Sequence, residues 1–528
     1  MIQVLTQFKI EKLKHNGVLV PIYEPRSFAI IYQGEMIKLN PDQEEMAVAW
    51  VKKLGTDYAK DQIFAKNFGG DFSKVLGIEK PTKIDDFDFS EIVRWVESEK
   101  ARKEQMSQEE RKKIAEARKK VREENKQKHG YAQINDEVVE IGNYTVEPPS
   151  IFMGRGKHPL RGRWKPRACY EDIILNLSED APIPKTPPGH QWRGRVFEPE
   201  SLWLAKWRDK LTSELKYVWV ADSAHFKQER EIDKFNKASD LERMIAKVRE
   251  HIKANLNSDD VIRRKVATVA YLIDELRMRV GDEKEEDEAD TVGASTLRGS
   301  HVKISDSDTI RFDFLGKDAV RWTKTIKPLP IVVNNLRSFI QGPKDQIFAG
   351  IRSEMVNDFF GEVAHWLTAK VFRTYHASKV VREYLASAKI SPNKPELDKK
   401  YTAAMANLEA AITCNHKKKL PKNWKQSIAK KEERVKNLES KLIEVMAKPR
   451  TKSNIKKIKK LRERIRQAAL KVKLARVTRD YNLGTSLKSY IDPRTFVKWA
   501  NKVSYDWRKF YSKTLQRKFC WVDETEKR

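Results

Sequence analysis

One tyrosine near the carboxyl end of the chain lies in a setting where its hydroxyl could act as a nucleophile. Tyr490 follows a segment rich in small polar residues (484–489) and precedes the turn signal Asp492-Pro493. Most tyrosines are amphipathic packing residues with one hydrogen bond, and that interpretation stays open for a tyrosine considered alone. The alternative is covalent catalysis, in which the phenolic oxygen attacks an electrophile.

A phenol that attacks a phosphodiester needs particular neighbours. Its reference pKa is about 10, so it is weakly nucleophilic at neutral pH. Attack places negative charge on the non-bridging oxygens, and bidentate arginines are the side chains best suited to hold it. A lysine held near a turn could protonate the leaving alkoxide, and a histidine could donate a further hydrogen bond. Such a site would therefore need two arginines, a lysine and a histidine in distinctive local settings.

The composition favours a polyanionic partner. The 528 residues, 40% of them apolar, suffice for several hydrophobic cores. Lys and Arg (105) exceed Asp and Glu (75) by 30, a surplus for which nucleic acid is the first candidate partner and an anionic membrane the second. No apolar run is long enough to span a membrane, and residues 1–14 lack the apolar core of a signal peptide. We expect a basic, soluble, intracellular protein.

Several kinds of site are not supported by the sequence. Cys169, Cys414 and Cys520 are far apart and lack CxxC spacing, which argues against a disulfide framework and a zinc site. Neither GxxxxGK[ST] nor GxGxxG occurs, so nothing indicates nucleotide binding. The acidic run 282–290 lacks the spaced ligands of a metal loop and is interpreted as a solvated connector. No metal and no cofactor are expected.

The amino-terminal part is predicted to be mixed α/β. Segments 17–25 and 28–39 are interpreted as short strands, and 40–55 as a helix that begins at Asn-Pro and ends at a glycine. The polar stretch 88–127, free of Gly and Pro, predicts two or more solvent-facing helices. Residues 128–224 are rich in turns, and their basic, glycine-containing segment 146–167 could approach phosphates or could be an ordinary surface loop.

The segment 225–420 is predicted to be mainly helical. A helix over 260–281, stopped by Gly281, would put Arg279 at its end. Alternating residues over 309–325 predict a β-hairpin with Lys317 at its turn. In a helix over 361–378, Arg373 would lie about 200° around the axis from Val371 and point away from the apolar stripe.

Residues 417–480 are strongly basic and carry two heptad patterns. They contain 24 Lys and Arg against 6 Asp and Glu, and the segment 448–454 interrupts the pattern. Two helices that fold back as an antiparallel coiled coil are predicted, either as a DNA-facing projection or as a structural connector. The heptad positions are Ile428, Val435, Leu438, Leu442 and Val445, and then Ile458, Leu461, Ile465, Ala468, Val472 and Ala475.

The last segment, 481–528, is short, helical and rich in aromatic residues. It is too small to hold a core of its own. We therefore expect it to dock on the body of the protein and to bring Tyr490 there.

Five ordered motifs now give the sequence a clear resemblance. They are LRMRVGDEKEEDEADTVG, FDFLGKDAVR, LTAKVFRTYHAS, CNHKKK and LGTSLKSYIDPR, preceded by IYEPRSFAIIYQGEMIKL, QIFAKNFGGDF, VEPPSIFMGRGKHPLRGRWKPR and PPGHQWR. Together they closely resemble type IB DNA topoisomerases of the eukaryotic kind, from about residue 20 to the end. The resemblance implies a multidomain α+β protein, mainly helical in its catalytic half. It would be a bilobed DNA clamp with a mixed α/β cap lobe, a helical tyrosine-recombinase-like catalytic lobe and an antiparallel coiled-coil linker.

The resemblance also implies a role for each matching residue. Tyr490 would attack the scissile phosphate to form a 3′-phosphotyrosine, Arg279 and Arg373 would bind the non-bridging oxygens, Lys317 would be the general acid for the 5′-hydroxyl, and His416 would donate a hydrogen bond to a non-bridging oxygen. The residues implied to contact DNA are Arg155, Lys157, His158, Asp318 and Lys417.

The implied domains are a cap lobe (1–224), a catalytic core (225–420), a linker (421–480) and a carboxy-terminal domain (481–528). The implied activity is relaxation of supercoiled duplex DNA by a monomer, without ATP or an essential metal. The alternatives are a tyrosine recombinase with the same chemistry and a non-enzymatic architectural DNA-binding protein.

The sequence also departs from the family. Ser489 stands before Tyr490, where the eukaryotic enzymes usually have Asn, and we expect the protein to lack the long charged N-terminal extension of those enzymes. We therefore expect an archaeal relative, associated with DNA in the nucleoid or cytoplasm; a eukaryotic one would be nuclear.

Overall fold

The chain forms two compact units that divide at Lys227–Gln228. A computed structural model describes residues 9–79, 82–154, 158–281, 292–316, 320–418, 420–421 and 423–525. Both units contain helices and small sheets, so the architecture is multidomain α+β, as predicted. In the described part of the chain, no helix is both long and apolar enough to cross a membrane.

The amino-terminal unit combines small sheets with four helices in its described residues. Its sheets have the strand orders β3-β2-β4, β1-β5-β6, β10-β9-β11-β12 and β7-β8. The elements are β1 (Leu13–His15), β2 (Ala29–Tyr32), β3 (Glu35–Lys38), α1 (Pro41–Val51), α2 (Gln62–Val75), β4 (Phe87–Asp88), α3 (Ser90–Gln105), α4 (Gln108–His129), β5 (Tyr131–Ile134), β6 (Glu137–Glu140), β7 (Ser150–Ile151), β8 (Trp164–Lys165), β9 (Ile174–Asn176), β10 (Gly194–Val196), β11 (Trp203–Arg208) and β12 (Leu215–Trp219).

Most of the predicted elements of this unit are present. Segment 28–39 forms the antiparallel pair β2–β3. Asn40 caps α1 in a capping box with Gln43, although the helix ends at Val51, before Gly55. The polar stretch forms α3 and α4, and the predicted strand over 17–25 is wrong, because that segment makes only an isolated bridge from Leu19.

The carboxy-terminal unit is mainly helical around one three-stranded sheet, β13-β14-β15. Its core surrounds the buried face of α6. The elements are α5 (His225–Asn255, which the division crosses), α6 (Val261–Leu276), β13 (Val302–Ile304), β14 (Ile310–Gly316), β15 (Val320–Ile326), α7 (Pro330–Phe339), α8 (Ser353–Gly361), α9 (Ala369–Ser387), α10 (Glu396–Thr413), α11 (Trp424–Met446), α12 (Lys452–Val477), α13 (Leu483–Ser489), α14 (Pro493–Lys502), α15 (Lys513–Lys518) and α16 (Val522–Thr525).

Two predicted helices of this unit have wrong boundaries. Helix α6 ends at Leu276, because Arg277 adopts the left-handed conformation (φ 57°) and breaks the hydrogen-bond ladder. The helix predicted over 361–378 begins only at Ala369, since α8 ends at Gly361 and α9 begins after the extended Thr368. The predicted hairpin is present as β14–β15, paired from Ile310–Ile326 to Gly316–Val320.

Helices α11 and α12 form an antiparallel pair. Arg476, near the end of α12, makes an ion pair of 2.7 Å with Glu432, near the start of α11. The seam buries Ile428 and Leu438 from one helix and Ala468 and Val472 from the other. All four are positions of the predicted heptads.

The chain segments that enter and leave this helix pair are bonded to each other at its base. The amide of Lys418 donates to the carbonyl of Asp480 at 2.9 Å, and Lys417 forms a β-bridge with Tyr481. The amide of Asn482 donates to the carbonyl of His416 at 2.7 Å. The base of the pair is therefore closed beside the start of α13.

The carboxy-terminal helices dock on this unit, as predicted. Phe496 and Phe519 are fully buried, in one apolar cluster with Phe235 of α5 and Ala377 of α9. The ring of Tyr511 packs edge-on against Phe519, with centroids 5.8 Å apart. This docking places α13 and Tyr490 against α9 and the end of α10.

Candidate active site

The described part of the carboxy-terminal unit contains a cleft of about 120 Å³ to which distant chain segments contribute. The cleft is lined by the segment after α6, the facing ends of β14 and β15, helix α9, the end of α10 and helix α13. Its lining includes Arg279, Gly316, Arg373, His416, Lys417 and Thr485.

Arg373 is buried at the back of this cleft, with 6% of its surface exposed. Its Nη1 donates to the carbonyl of Arg277 at 2.6 Å, and its Nη2 donates to the carbonyl of Cys414 at 2.9 Å. Its buried Nε has no hydrogen-bond partner among the described residues. Arg373 is therefore a fixed internal cation and not a solvated surface arginine.

Arg279 was predicted to lie at the end of a helix, but it lies beyond α6, which ends at Leu276. Its carbonyl accepts from the amide of Ala294 at 2.8 Å, so two chain segments run side by side here. Gly281 (φ +93°) and Gly293 approach so closely that a Cβ on Gly293 would lie 2.4 Å from the Cα of Gly281. Both positions therefore require glycine, and the close approach fixes the backbone that carries Arg279.

The electrostatics of Arg279 reflect its position at the edge of the cleft. The residue is exposed overall, yet the protein around its guanidinium lowers its pKa by desolvation. The charge of Arg373 lowers the pKa of Arg279 further, and the interaction with Tyr490 opposes both effects. Two guanidinium groups that repel each other in this way form a site for an anion.

His416 enters the cleft from the end of α10. Asn415 takes the left-handed conformation (φ 53°), and the amide of His416 then donates back to the carbonyl of Ala411 at 2.8 Å. Its imidazole Nδ1 lies 2.7 Å from Ser486 Oγ, and its Nε2 lies 3.3 Å from Nη2 of Arg373. Burial and then the charges of Arg373 and Arg279 lower the pKa of His416 to about 3, so the ring is neutral at neutral pH.

Tyr490 lies at the end of α13 against these cations. Its ring centroid is 5.0 Å from that of His416 and 5.0 Å from Cζ of Arg373. Ser378 of α9 holds the backbone on either side: its Oγ is 3.3 Å from the carbonyl of Tyr490 and accepts from the amide of Asp492 at 3.0 Å. The tyrosine is half-buried: it packs against the carboxy-terminal apolar cluster and also lies against the Arg373 guanidinium, so packing alone does not describe its surroundings.

The fold thus brings together four of the predicted residues with Lys417, a predicted DNA contact at the cleft wall. Lys317 and Asp318 lie outside the described residues, between Gly316 and Val320, both of which line the cleft. Arg155 and Lys157 also lie outside them.

His158 belongs to the amino-terminal unit, where its ring packs against Phe152 with centroids 4.9 Å apart. Its Nδ1 accepts from the amide of Leu160 at 3.2 Å. The described residues around it therefore account for the ring's position within its own unit.

Sequence reasoning missed two serines of the site. Ser486 contacts the ring of His416, and Ser378 holds the backbone of Tyr490. For Ser486 the available signal was its spacing, because it precedes Tyr490 by four residues and so lies one helical turn away. Ser378 is 112 residues from Tyr490 in sequence, and no local pattern connects the two. Among the described residues, no group of three or more His, Cys, Asp or Glu side chains is placed to hold a metal ion.

A tyrosine beside two arginines and a neutral histidine has the chemistry of a covalent phosphoryl-transfer site. The guanidinium groups could hold the non-bridging oxygens of a phosphodiester, and the phenolic oxygen could attack its phosphorus. The fold and the site together therefore define a class of protein, namely those with a covalent phosphoryl-transfer site built around a tyrosine.

Comparison with known families gives the particular family. Residues 8–220 match the DNA-binding fragment of eukaryotic DNA topoisomerase I, 223–449 match its catalytic core, and 462–528 match the C-terminal topoisomerase domain. The chain therefore belongs to the eukaryotic DNA topoisomerase I family and contains its catalytic core.

Individual relatives agree with this assignment. The chain is 34% identical over 547 residues to DNA topoisomerase 1 beta of Arabidopsis thaliana, covering 98% of this chain and 59% of that relative. It is 33% identical over 541 residues to DNA topoisomerase 1 of Homo sapiens and of Chlorocebus aethiops, covering 97% of this chain and 70% of each relative. The chain thus spans about three fifths of the plant protein. These relatives, a plant and two primates, do not support the expected archaeal source.

Proposed function

We propose that this protein is a type IB DNA topoisomerase that relaxes supercoiled duplex DNA without ATP or an essential metal. The observation that carries the proposal is the position of Tyr490 against the Arg373 guanidinium and the His416 ring, each about 5.0 Å away. Family membership and the names of the relatives support it.

Cleavage would begin with attack by the deprotonated Tyr490 oxygen on the scissile phosphorus. A bond forms between that oxygen and phosphorus, the bond from phosphorus to the 5′ oxygen breaks, and a proton from Lys317 completes the 5′-hydroxyl. Arg279 and Arg373 would hold the charge on the non-bridging oxygens. His416 would donate a hydrogen bond to one of these oxygens in the transition state.

Religation would be the same step in reverse. The 5′-hydroxyl attacks the phosphotyrosine, and the tyrosine leaves. The phosphotyrosine conserves the energy of the broken phosphodiester, so no ATP is consumed. Rotation of the free 5′ end between the two steps would release supercoils.

The arrangement of domains belongs to the same proposal. Residues 1–224 would form the cap lobe and 225–420 the catalytic core of a bilobed clamp around duplex DNA, with 421–480 as a coiled-coil linker and 481–528 as the domain that carries the nucleophile. Arg155, Lys157, His158, Asp318 and Lys417 would contact the DNA. The excess of 30 positive charges supports binding directed mainly at phosphates, hence sensitive to salt. We expect a DNA-associated monomer.

The deciding experiment is relaxation of supercoiled plasmid in EDTA without ATP, with protein of the natural sequence and with Tyr490→Phe. We expect multiple-turnover relaxation by the former, none by the latter, and a covalent DNA adduct that peptide mass mapping assigns to Tyr490. Tyr505→Phe is a matched control, because the buried Tyr505 hydroxyl has no hydrogen-bond partner among the described residues. It should relax DNA normally.

Other results would contradict the proposal. Recombinant products between paired sites would indicate a tyrosine recombinase. Binding to DNA without any nicked covalent complex would leave only an architectural role.

A further inference from the structure

Ser486 links the nucleophile to the histidine of the site. It lies on α13 one turn before Tyr490 and is fully buried (0% exposed). Its carbonyl accepts from the amides of Tyr490 at 3.0 Å and Ile491 at 3.1 Å. Its hydroxyl oxygen lies 2.7 Å from Nδ1 of His416, a residue of the α10 end. Ser486 is thus bonded to the backbone of Tyr490 through its carbonyl and to the ring of His416 through its side chain.

The tautomer of His416 decides what its ring can do. A neutral imidazole carries one N–H, so one ring nitrogen donates and the other accepts. Nη2 of Arg373 can only donate, and it lies 3.3 Å from Nε2 of His416. In this arrangement Nε2 is therefore the acceptor, Nδ1 carries the proton, and the hydroxyl of Ser486 accepts from it.

The proposed reaction needs the opposite tautomer. To donate to a phosphoryl oxygen through Nε2, the ring must carry its proton there, and Nδ1 then needs a donor. A hydroxyl can supply either role by rotation about its C–O bond, with no movement of heavy atoms. A carboxylate or a backbone carbonyl at the same place would hold the proton on Nδ1.

We propose that Ser486 is a positioning residue that allows His416 to exchange tautomers. Its hydroxyl accepts from Nδ1 in the DNA-free protein and donates to Nδ1 when Nε2–H is bonded to a phosphoryl oxygen. The exchange conserves protons, because the ring loses one to water at Nδ1 and takes one from water at Nε2. This inference rests on the proposed function for its catalytic consequence, whereas the tautomer in the free protein is independent of it.

The kinetic test is a double-mutant cycle. Single-turnover cleavage of a duplex oligonucleotide is measured for Ser486→Ala, His416→Gln and the double variant. We expect Ser486→Ala to slow cleavage about tenfold, by analogy with the loss of an outer hydrogen bond that orients a functional histidine. In the His416→Gln background the same substitution should change nothing further, because its effect passes through the histidine. Equal slowing in both backgrounds would overturn the proposal.

Ser378→Ala is the matched structural control. Ser378 also holds the segment around Tyr490 through its hydroxyl, but it does not contact His416. Any slowing by Ser378→Ala should persist in the His416→Gln background. Ser486→Thr, which keeps the hydroxyl, should restore cleavage toward the natural rate; a rate as low as that of Ser486→Ala would contradict a role for the hydroxyl.

A spectroscopic test needs no DNA. In protein labelled with ¹⁵N-histidine, the ring resonances of His416 are those lost in His416→Gln. We expect the Nδ1–H tautomer in natural, Ser486→Thr and Ser486→Ala protein, because Arg373 still donates to Nε2 in each. In Ser486→Ala the Nδ1 proton should lose its hydrogen bond, seen as an upfield shift of its resonance. An Nε2–H tautomer in the natural protein, or an unchanged Nδ1 proton resonance in Ser486→Ala, would overturn the inference even if cleavage is slowed. If the natural protein fails to cleave DNA, the proposed function is wrong, and this spectrum still decides how Ser486 acts on the ring.

Discussion

Replacement of Arg373 by lysine separates charge from geometry in the cleft. The guanidinium donates to two backbone carbonyls at 2.6 and 2.9 Å while its Nε remains available. A lysine keeps the positive charge but concentrates its donors at one nitrogen, so it cannot reach both carbonyls and a phosphate oxygen at once. Arg373→Lys would therefore keep the positive charge at this position but remove the planar arrangement of hydrogen-bond donors.

The expected loss can be worked from these contacts. Removal of one fixed donor to a developing oxyanion costs roughly 10²- to 10³-fold in rate, or about 2.7–4 kcal/mol of transition-state stabilisation. One buried carbonyl left without a donor costs about 1–3 kcal/mol of folding stability. Arg373→Lys should therefore slow single-turnover DNA cleavage at least about 100-fold, with only a modest fall in the melting temperature and nearly unchanged DNA affinity.

The assay is cleavage of a labelled duplex with enzyme in excess, so that a small unfolded fraction does not affect the rate. Arg382→Lys is the matched control, since Arg382 lies on the same helix, is half-exposed and pairs with Glu242. An exposed pair contributes little, so this variant should cleave normally. Cleavage by Arg373→Lys at nearly the natural rate would refute the argument that a fixed planar donor is needed.

Three further predictions concern stability. Asp274→Asn should lower the free energy of unfolding by about 3 kcal/mol in urea titrations, because the buried Asp274 carboxylate bonds Arg249 at 2.7 Å and His376 at 2.8 Å; no loss would mean that these bonds are energetically neutral. Burial lowers the pKa of His15 to about 4, below the 6.5 of an unfolded histidine, so the unfolded chain binds the extra proton between these values. Stability should fall by about 3 kcal/mol as the pH drops from 6.5 to 4, and His15→Gln should flatten that slope in unfolding experiments at several pH values. Leu438→Ala should loosen the α11–α12 seam by about 2 kcal/mol, seen as faster amide hydrogen exchange confined to those helices, with cleavage unaffected; exchange that also rises in α9 would contradict a local effect.

Local signals predicted most of the elements that position the site. The alternation of apolar and polar residues predicted the β14–β15 hairpin, and the capping residue Asn40 predicted the start of α1. The heptad pattern predicted the apolar seam between α11 and α12. Each of these signals acts over a few residues and is satisfied by neighbours in the chain. The docking of the aromatic module followed from its size, because it could not bury its rings alone.

The boundaries that failed were set by contacts that are distant in sequence. Nothing local marks Arg277 for a left-handed conformation, yet it ends α6 and presents its carbonyl to Arg373, 96 residues further on. The helical pattern over 361–378 did not predict that Thr368 is extended and that α9 begins only after it. Periodicity predicted that Arg373 points away from the apolar stripe, but it did not reveal that the carbonyls of Arg277 and Cys414, beyond the ends of α6 and α10, hold the guanidinium.

The closed base of the α11–α12 pair has a consequence for the covalent continuity of the chain. Bonds from 416–418 to 480–482 hold the entry and exit of the pair together, and Arg466 adds an ion pair of 2.6 Å to Asp398 in α10. A protease that nicks the short exposed connection between the two helices would therefore leave both fragments attached. The tyrosine would stay beside its arginines although no peptide bond joined them through the hairpin, so the two pieces should copurify as one particle until a denaturant separates them.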